Sequence, residues 1–258
     1  MKNSATLIYD GTFNGFLTTI FVAFEEKINI ADIQRNGQHQ NGLFSEVKTI
    51  FTHIEKAKRV WNGLQDISHN AITNIYFAYL SEVEGIELTL YSYIQKLLES
   101  KTGKFLNYSD GIVQRVNQLA TSVRREKQYI EKRISFQLTK DNVCFANIEP
   151  SFDILPLISK HFRMSRPNQD WLIYDMKRKY GIYCNQGHVE LVSLNLKEIN
   201  FGKIHKSDAF LNDEYDYQTL WNDYIKNSKV KSLINGKLLS KRVYKRNTKY
   251  IPSAKEAV

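Results

Sequence analysis

The chain has 258 residues, of which 42% are hydrophobic and 24% are charged, and its formal net charge is +9. No apolar run approaches the roughly 20 residues of a membrane span, and the opening residues lack a signal-peptide pattern, so the composition excludes a membrane protein and predicts a cytoplasmic one. Cys144 and Cys184 lie in apolar, strand-like segments, and neither has a second cysteine near it in the chain. We therefore expect buried thiols rather than a disulfide or a metal site.

The first predicted element is a strand over residues 6–9, within the stretch LIYDGTFNGFL. Gly11 and Gly15 do not have the spacing of a dinucleotide fingerprint, and the lysine of a Walker loop is missing. The pattern instead predicts a turn at Gly11 and a helix whose first amide groups are capped by Asp10 or Thr12. This stretch is therefore predicted to be a strand that turns into a helix, without a phosphate loop.

The first half of the chain is predicted to be mainly helical. Polar residues 28–45 predict a loop, and the run VKTIFTHI over residues 47–54 predicts a strand that is followed by a charged stretch. Apolar residues at helical spacing predict four helices, which cover residues 13–24, 70–83, 86–98 and 110–134.

From Ser135 onward the apolar pattern changes from helical spacing to alternation. The run SFQLTKDNVCFANIEP predicts a hairpin that turns at residues 140–142. A short helix is predicted in FDILPLISKHF, and the runs WLIYD, YGIYC and HVELVSL predict an antiparallel meander. A last amphipathic helix is predicted over residues 214–225.

The order of these elements predicts the fold class. Helices that come first and strands that come later favour an α+β fold over alternating βαβ units. We expect a helical first half packed on a mainly antiparallel sheet. The predicted organisation is a single domain over residues 1–225 and a basic C-terminal extension over residues 226–258.

The positive charge is concentrated in one segment. Residues 226–249, which we call the basic segment, contain nine Lys or Arg and no Asp or Glu. This pattern is typical of a protein that binds nucleic acid, and the alternative is a solvated tail that keeps the protein soluble. The side chains predicted to contact nucleic acid here and just beyond are Lys237, Lys241, Arg242, Lys245, Arg246, Lys249 and Tyr250.

Two smaller basic groups lie outside the basic segment. Arg124 and Arg125 belong to a cluster in the last helix of the first half, where positive charge also suits the helix dipole. Lys177, Arg178 and Lys179 occupy the tip between two predicted strands. If the fold brings either group onto the same face as the basic segment, we expect that group to make supplementary contacts with phosphates. Otherwise its side chains are solvated surface residues.

The sequence contains no recognisable catalytic motif. No two of the six histidines lie within five residues of each other, and a nucleophile elbow and a reactive-cysteine context are absent. We therefore identify no catalytic residue and expect neither a metal nor a cofactor. If the protein is an enzyme, its candidate site consists of polar residues at predicted strand or helix ends, namely Asp10, Glu149, His161 and Asp175.

Five stretches of the chain are informative when they are taken together. They are YDGTFNGFLTTIF, FAYLSEVEGIE, VRREKQYIEKRISF, FANIEPSFDILPLISKHF and WLIYDMKRKYGIYCNQG. In this order they resemble a bacterial family of unknown biochemical activity, whose members are labelled DNA metabolism or DNA repair proteins. The resemblance implies DNA as the nucleic acid and a companion radical-SAM protein that modifies or repairs DNA, and some relatives are fused to a uracil-DNA-glycosylase-like domain.

The chain departs from this family at three places, one of which is Arg133 and Ser135, where the family has a glycine and a second arginine. Gln128 stands where the family tends to carry a histidine, and Asn247 and Thr248 replace a Tyr-Trp pair in its basic ending. An activity that depends on those side chains would be altered here. Three hypotheses follow: an accessory protein that binds nucleic acid beside a radical-SAM partner, an enzyme that acts on a nucleobase or nucleotide, and a protein–protein scaffold.

Overall fold

The computed structural model describes residues 4–37, 46–99, 109–138 and 143–193. The chain divides into two compact units, Met1–Arg124 and Arg125–Val258. The predicted turn at residues 140–142, the predicted helix over 214–225 and the boundary at residue 225 lie outside the described residues and stay predictions.

The first unit contains a parallel sheet. β1 (Ala5–Tyr9) lies between β2 (Ile30–Arg35) and β3 (Glu46–Thr49), and both neighbours run parallel to it. The predicted first strand is confirmed, whereas the loop predicted over residues 28–45 is wrong because β2 begins there. The apolar pattern of the sequence does not indicate β2, because this strand is mostly polar and Ile33 is its one fully buried residue. Its strand conformation is instead stabilised by hydrogen bonds to β1.

Five helices begin in the first unit. They are α1 (Phe13–Glu25), α2 (Ile54–Ile67), α3 (His69–Tyr79), α4 (Ile86–Glu99) and α5 (Gly111–Arg133). The four predicted helices are confirmed within a few residues, but α2 occupies the predicted charged stretch. α2 buries only Ala57, Trp61 and Leu64. Because this apolar stripe is narrow, the sequence of α2 looks like that of a solvated segment. None of the described helices is long and apolar enough to cross a membrane.

An aromatic cluster lies in the core of the first unit. The ring of Phe13 lies edge-on to Tyr76, with centroids 4.8 Å apart, and 5.0 Å from Tyr79. Phe16 stacks on Tyr79 at 5.6 Å, and all four side chains are buried. This cluster packs α1 against α3 and thereby positions the turn that precedes α1.

The second unit contains a five-stranded sheet in the order β4-β5-β6-β7-β8. Its elements are β4 (Gln137–Leu138), β5 (Cys144–Ile148), α6 (Leu155–Ser165), β6 (Trp171–Asp175), β7 (Tyr180–Asn185) and β8 (His188–Val192). Three of the four strand pairs among these described residues are antiparallel, which confirms the α+β class and the mainly antiparallel sheet. β5 and β6 are parallel because α6 crosses between them, so Ile148 and Asp175 end at the same sheet edge.

Strands β6 and β7 form part of the core of the second unit. Trp171, Ile173, Ile182 and Cys184 are buried, as predicted for the apolar anchors of these strands. The predicted close approach at Gly181 is also confirmed, because a Cβ atom there would lie 2.8 Å from the carbonyl oxygen of Ile173. Burial raises the pKa of the Cys184 thiol, which keeps it protonated and unreactive.

Candidate nucleic-acid interface

The second unit carries an open cleft of about 500 Å³, which we call the His161 cleft. It lies between the end of α5, the residues that lead into β4, the second half of α6 and the connection to β6. A volume of this size falls within the range of about 300–1,000 Å³ that ligand sites occupy. Its lining includes Glu131, Phe136, His161, Phe162, Arg166 and Gln169.

Aromatic side chains form one wall of the His161 cleft. Phe162 is buried on α6 and meets Phe136 edge-on, with ring centroids 5.5 Å apart. The imidazole of His161 meets the same Phe162 ring edge-on at 5.0 Å. Phe162 also contacts Trp171 at 6.1 Å between centroids, so the wall is anchored in the core of the second unit.

Arg166 supplies a cationic surface in the cleft. Its Cζ atom lies over the ring of Phe136, 4.4 Å from the centroid, and its Nη1 donates a hydrogen bond to Oε1 of Gln169 at 2.7 Å. Its backbone N–H donates to the carbonyl oxygen of Phe162 at 2.9 Å and so caps α6. Because both the backbone and the guanidinium are held, the charge is preorganised beside an aromatic ring.

Glu131 forms the acidic side of the cleft, and its side chain is 11% exposed. Lys127, one helical turn earlier, donates a hydrogen bond to its Oε1 at 2.7 Å. The Nδ1 atom of His161 lies 3.9 Å from the same oxygen, and the His161 side chain is 45% exposed. An imidazole in this position can form hydrogen bonds with a ligand. No group of three His, Cys, Asp or Glu side chains among the described residues is arranged to hold a metal ion.

The sheet separates the polar residues that were suggested as an enzyme site. His161 lines the cleft, which lies toward the amino end of β6 because Gln169 precedes that strand. Glu149 and Asp175 lie at the carboxyl ends of β5 and β6 instead. A strand of this length spans roughly 17–20 Å, so these two carboxyl groups do not belong to the cleft. Asp10 belongs to the first unit.

The basic tip between β6 and β7 has an inward-facing arginine. Asp175 is fully buried, and burial raises the pKa of its carboxyl group, although Arg178 opposes this effect. The guanidinium of Arg178 donates to Asp175 at 2.8 Å and to the carbonyl oxygens of residues 150–151, and its side chain is 10% exposed. Lys177 and Lys179 are exposed. The prediction that the tip displays its three cations to solvent is therefore wrong for Arg178.

The two arginines predicted on α5 have different surroundings. Arg124 donates a hydrogen bond to Oδ1 of Asn74 at 3.1 Å, and its guanidinium lies 5.1 Å from the centroid of the Phe77 ring, within the first unit. Arg125 is the first residue of the second unit and is exposed. Of this pair, Arg125 has the side chain that is accessible to a partner.

Asp10 anchors the start of α1 in the first unit. Its Oδ1 accepts hydrogen bonds from the backbone N–H and the hydroxyl group of Thr12, at 2.9 and 2.7 Å, and its Oδ2 accepts one from the hydroxyl of Thr52 at 2.6 Å. Thr12 caps α1 by accepting from the N–H of Gly15, as predicted. A Cβ atom at Gly15 would lie 2.1 Å from Oδ1 of Asp10. These contacts account for the DGTFNG spacing without a phosphate ligand.

A buried polar network, which the sequence did not indicate, lies behind this turn. Glu87 accepts a hydrogen bond from Nε of Arg35 at 2.7 Å and one from the hydroxyl group of Tyr9 at 3.0 Å. The hydroxyl group of Tyr79 donates to the carbonyl oxygen of Gly11 at 2.6 Å. Burial raises the pKa of Tyr9 and of Tyr79, so both remain neutral phenols. The network joins β1, β2, α3 and α4 and holds the turn at Gly11.

Sequence reasoning singled out His161 but missed Phe136, Phe162 and Arg166 of the same cleft. Phe136 and Phe162 end two of the stretches that resemble the bacterial family, so a signal for the aromatic wall was present. Arg166 lies in the run MSRPNQ, which has no periodic pattern. The predicted contacts of the basic segment lie outside the described residues; they are Lys237, Lys241, Arg242, Lys245, Arg246, Lys249 and Tyr250.

Comparison with known proteins gives a family. Residues 84–253 match the model of a protein family described as a domain of unknown function, DUF4130. The match covers more than half of the chain and includes the whole His161 cleft. No curated protein matches the chain.

Proposed function

We propose that this chain, which belongs to the DUF4130 family, binds nucleic acid in DNA metabolism through its second unit. The observation that carries the proposal is the His161 cleft, in which the guanidinium of Arg166 is held over Phe136 beside an exposed imidazole. Aromatic rings and arginine planes stack on bases, and cations contact phosphates, in proteins that bind single-stranded nucleic acid. The combination of ring, guanidinium and amide groups suits a nucleotide better than an apolar ligand.

Exposed cations close to the cleft support the proposal. Lys132 and Arg133 are exposed and lie in the chain between Glu131 and Ile134, which both line the cleft. Away from the cleft, beyond the carboxyl end of β6, the tip between β6 and β7 adds two further exposed lysines. Such cations supply phosphate contacts that orient a strand without selecting its sequence.

The basic segment supports the same function from outside the described residues. Its nine cations and no acidic residues account for the whole net charge of +9. Contacts of this kind raise affinity through counterion release, which is independent of base sequence. We therefore propose that the basic segment supplies affinity and that the cleft supplies selectivity.

The finer role that we propose is that of an accessory protein in DNA repair or modification. The five stretches that resemble the DNA-repair-labelled family support this role, and they support a radical-SAM protein as the cytoplasmic partner. A radical-SAM protein encoded next to this chain should be captured by it, and added DNA should increase the amount captured. If the chain binds no nucleic acid and captures the partner equally with and without DNA, it is a protein–protein scaffold instead.

Equilibrium binding tests the nucleic-acid proposal directly. Fluorescence anisotropy of the full chain with single-stranded DNA, duplex DNA and RNA of equal length should show binding that weakens as salt is added. Replacing Lys132 and Arg133 by Gln should weaken binding and make the log–log salt slope shallower by up to about 2, or about 1 for each phosphate that a removed cation neutralised. The matched control replaces Lys56 and Lys58 of the first unit by Gln and should leave binding unchanged. Absence of binding to all three nucleic acids at low salt would contradict the proposal.

A second candidate function is catalysis on a nucleobase or nucleotide. The observation that favours it is the 3.9 Å approach of His161 to Glu131 in the same cleft. A histidine and a carboxylate that line the same cleft are the residue types that general acid–base catalysis uses. Mass spectrometry of DNA and nucleotides after incubation with the protein should then detect a product that His161→Gln abolishes while binding persists. Unchanged substrates with the native chain and its partner would contradict this function.

A further inference from the structure

We infer that the His161 cleft receives one unpaired nucleobase, which stacks on the guanidinium of Arg166. This inference rests on the proposed function, because it names the part of the nucleic acid that enters the cleft. It makes the protein selective for single strands, or for a base that has left a duplex.

The size of the cleft suits one base. A space of about 500 Å³ lies in the lower half of the range for ligand sites, and the cleft is open to solvent. One base with its sugar can therefore enter while the rest of the strand stays outside. A base within a duplex is stacked on both sides and paired at its edge, so it has to leave the stack before it can enter such a site.

The stacking surface is already formed. One face of the Arg166 guanidinium is covered by Phe136, with Cζ 4.4 Å from the ring centroid, and Gln169 holds the group in place. Arg166 lines the cleft, and the inference assigns the base to the face of its guanidinium that is turned away from Phe136. Arginine planes and aromatic rings are the usual platforms for unstacked bases. Phe136 is braced in turn by the buried ring of Phe162.

The acidic wall of the cleft favours a base over a phosphate group. The carboxylate of Glu131 lies on one wall and would repel a phosphate, even though Lys127 partly neutralises it. The exposed cations Lys132 and Arg133 follow it in the chain, outside the lining of the cleft, and can contact phosphates there. His161 and Asn168 line the cleft and offer polar groups to the edge of a base.

The experiment uses the full chain and single-stranded oligonucleotides that carry 2-aminopurine. Its fluorescence should change when the base stacks in the cleft, and an oligonucleotide of the same length with abasic sites throughout should bind about tenfold more weakly. Arg166→Lys keeps the charge but removes the plane, so it should weaken binding of the normal strand by about tenfold and leave the abasic strand unaffected. The matched control is Arg163→Lys, the same substitution on α6 outside the cleft, which should leave both affinities unchanged.

The outcomes separate this inference from the proposed function. If the native chain binds no nucleic acid, the proposed function fails and the inference fails with it. If the native chain binds normal, abasic and duplex DNA equally, the function stands and the base-capture inference is overturned. If a free mononucleotide binds as tightly as the strand, the base in the cleft does not have to come from a strand, and the inference is overturned. If the thermal transition shows that Arg166→Lys does not fold, the inference is still tested by comparing the affinities of the native chain for the normal and the abasic strand.

Discussion

Gly15 illustrates how one residue in the opening motif is determined by its surroundings. The carboxylate of Asp10 lies against the first turn of α1 and is held there by Thr12 and Thr52. A side chain at residue 15 would occupy the space of that carboxylate. The glycine is therefore required by packing at the start of a helix. In a dinucleotide fingerprint, by contrast, a glycine is required so that the backbone can approach a bound pyrophosphate.

This arrangement predicts the effect of Gly15→Ala. The added methyl group displaces the Asp10 carboxylate and breaks its hydrogen bonds, so we expect a loss of about 1–2 kcal/mol in the free energy of unfolding, comparable to the loss of a helix cap. The matched control is Gly63→Ala in α2, where nothing lies within 4 Å of the added Cβ atom. That variant should gain about 0.5–1 kcal/mol, because alanine favours a helix over glycine. Urea unfolding measures both, and equal effects of the two substitutions would contradict the packing argument.

A second prediction at this scale concerns Trp171. The side chain is fully buried, and its indole N–H has no hydrogen-bond partner among the described residues, so its contribution to stability is apolar packing. Trp171→Ala should reduce the free energy of unfolding by about 3–5 kcal/mol. Trp171→Phe retains a ring and should cost clearly less. A fully stable Trp171→Ala protein that loses nucleic-acid binding would show that the indole belongs to a binding surface.

At the scale of an element, the turn between β6 and β7 combines two roles in adjacent residues. Arg178 holds the buried Asp175 and the carbonyl oxygens of the β5–α6 loop, so it stabilises the carboxyl edge of the sheet. Lys177 and Lys179 are exposed on either side of it. The alternation follows from the turn, in which Asp175 also accepts the backbone N–H groups of residues 177 and 178.

The turn therefore predicts opposite phenotypes for neighbouring substitutions. Arg178→Gln leaves the buried Asp175 carboxylate without its cation, so we expect a loss of about 3 kcal/mol in stability. The double substitution Lys177→Gln with Lys179→Gln should leave the melting transition nearly unchanged and weaken nucleic-acid binding. Thermal unfolding and anisotropy measured on the same samples check both effects. If Arg178→Gln melts like the native protein, the ion pair with Asp175 does not stabilise the turn.

At the scale of the whole molecule, charge and selectivity reside in different parts of the chain. The basic segment holds nine cations, and the described second unit holds the cleft. Electrostatic contacts act on any polyanion, whereas stacking needs an unpaired base. Removal of the basic segment should therefore change affinity and salt dependence without changing selectivity.

Deletion of residues 226–258 tests this separation. If about four to six cations contact phosphates, the log–log salt slope of the full chain should be about −3 to −5. The truncated chain should lose most of its affinity and most of that slope, but it should keep its preference for single strands over duplexes. A deletion that leaves the affinity unchanged, or that abolishes the preference for single strands, would contradict the division of roles.

Most elements of this protein follow from local patterns in its sequence. The helices α1, α3, α4 and α5 bury apolar side chains at helical spacing, and the strands β6, β7 and β8 are short, almost continuously buried apolar runs between turns; a sequence records both patterns. The cap at Thr12 and the close approach at Gly181 were also predictable, because each depends on neighbours within the same or the next element. The α+β class follows from the order of these elements.

The remaining features depend on contacts between residues that are distant in the chain. β2 and α2 are mostly polar, so their structure is decided by pairing with β1 and by packing against α1. Arg178 turns inward because the fold brings the β5–α6 loop beside it. The cleft exists because α5, α6 and the entry to β4 bring Phe136, His161 and Arg166 together. No local period records such an assembly, since Phe136 precedes β4 whereas His161 and Arg166 belong to α6 and its C-cap, and the two parts become neighbours only when the chain folds.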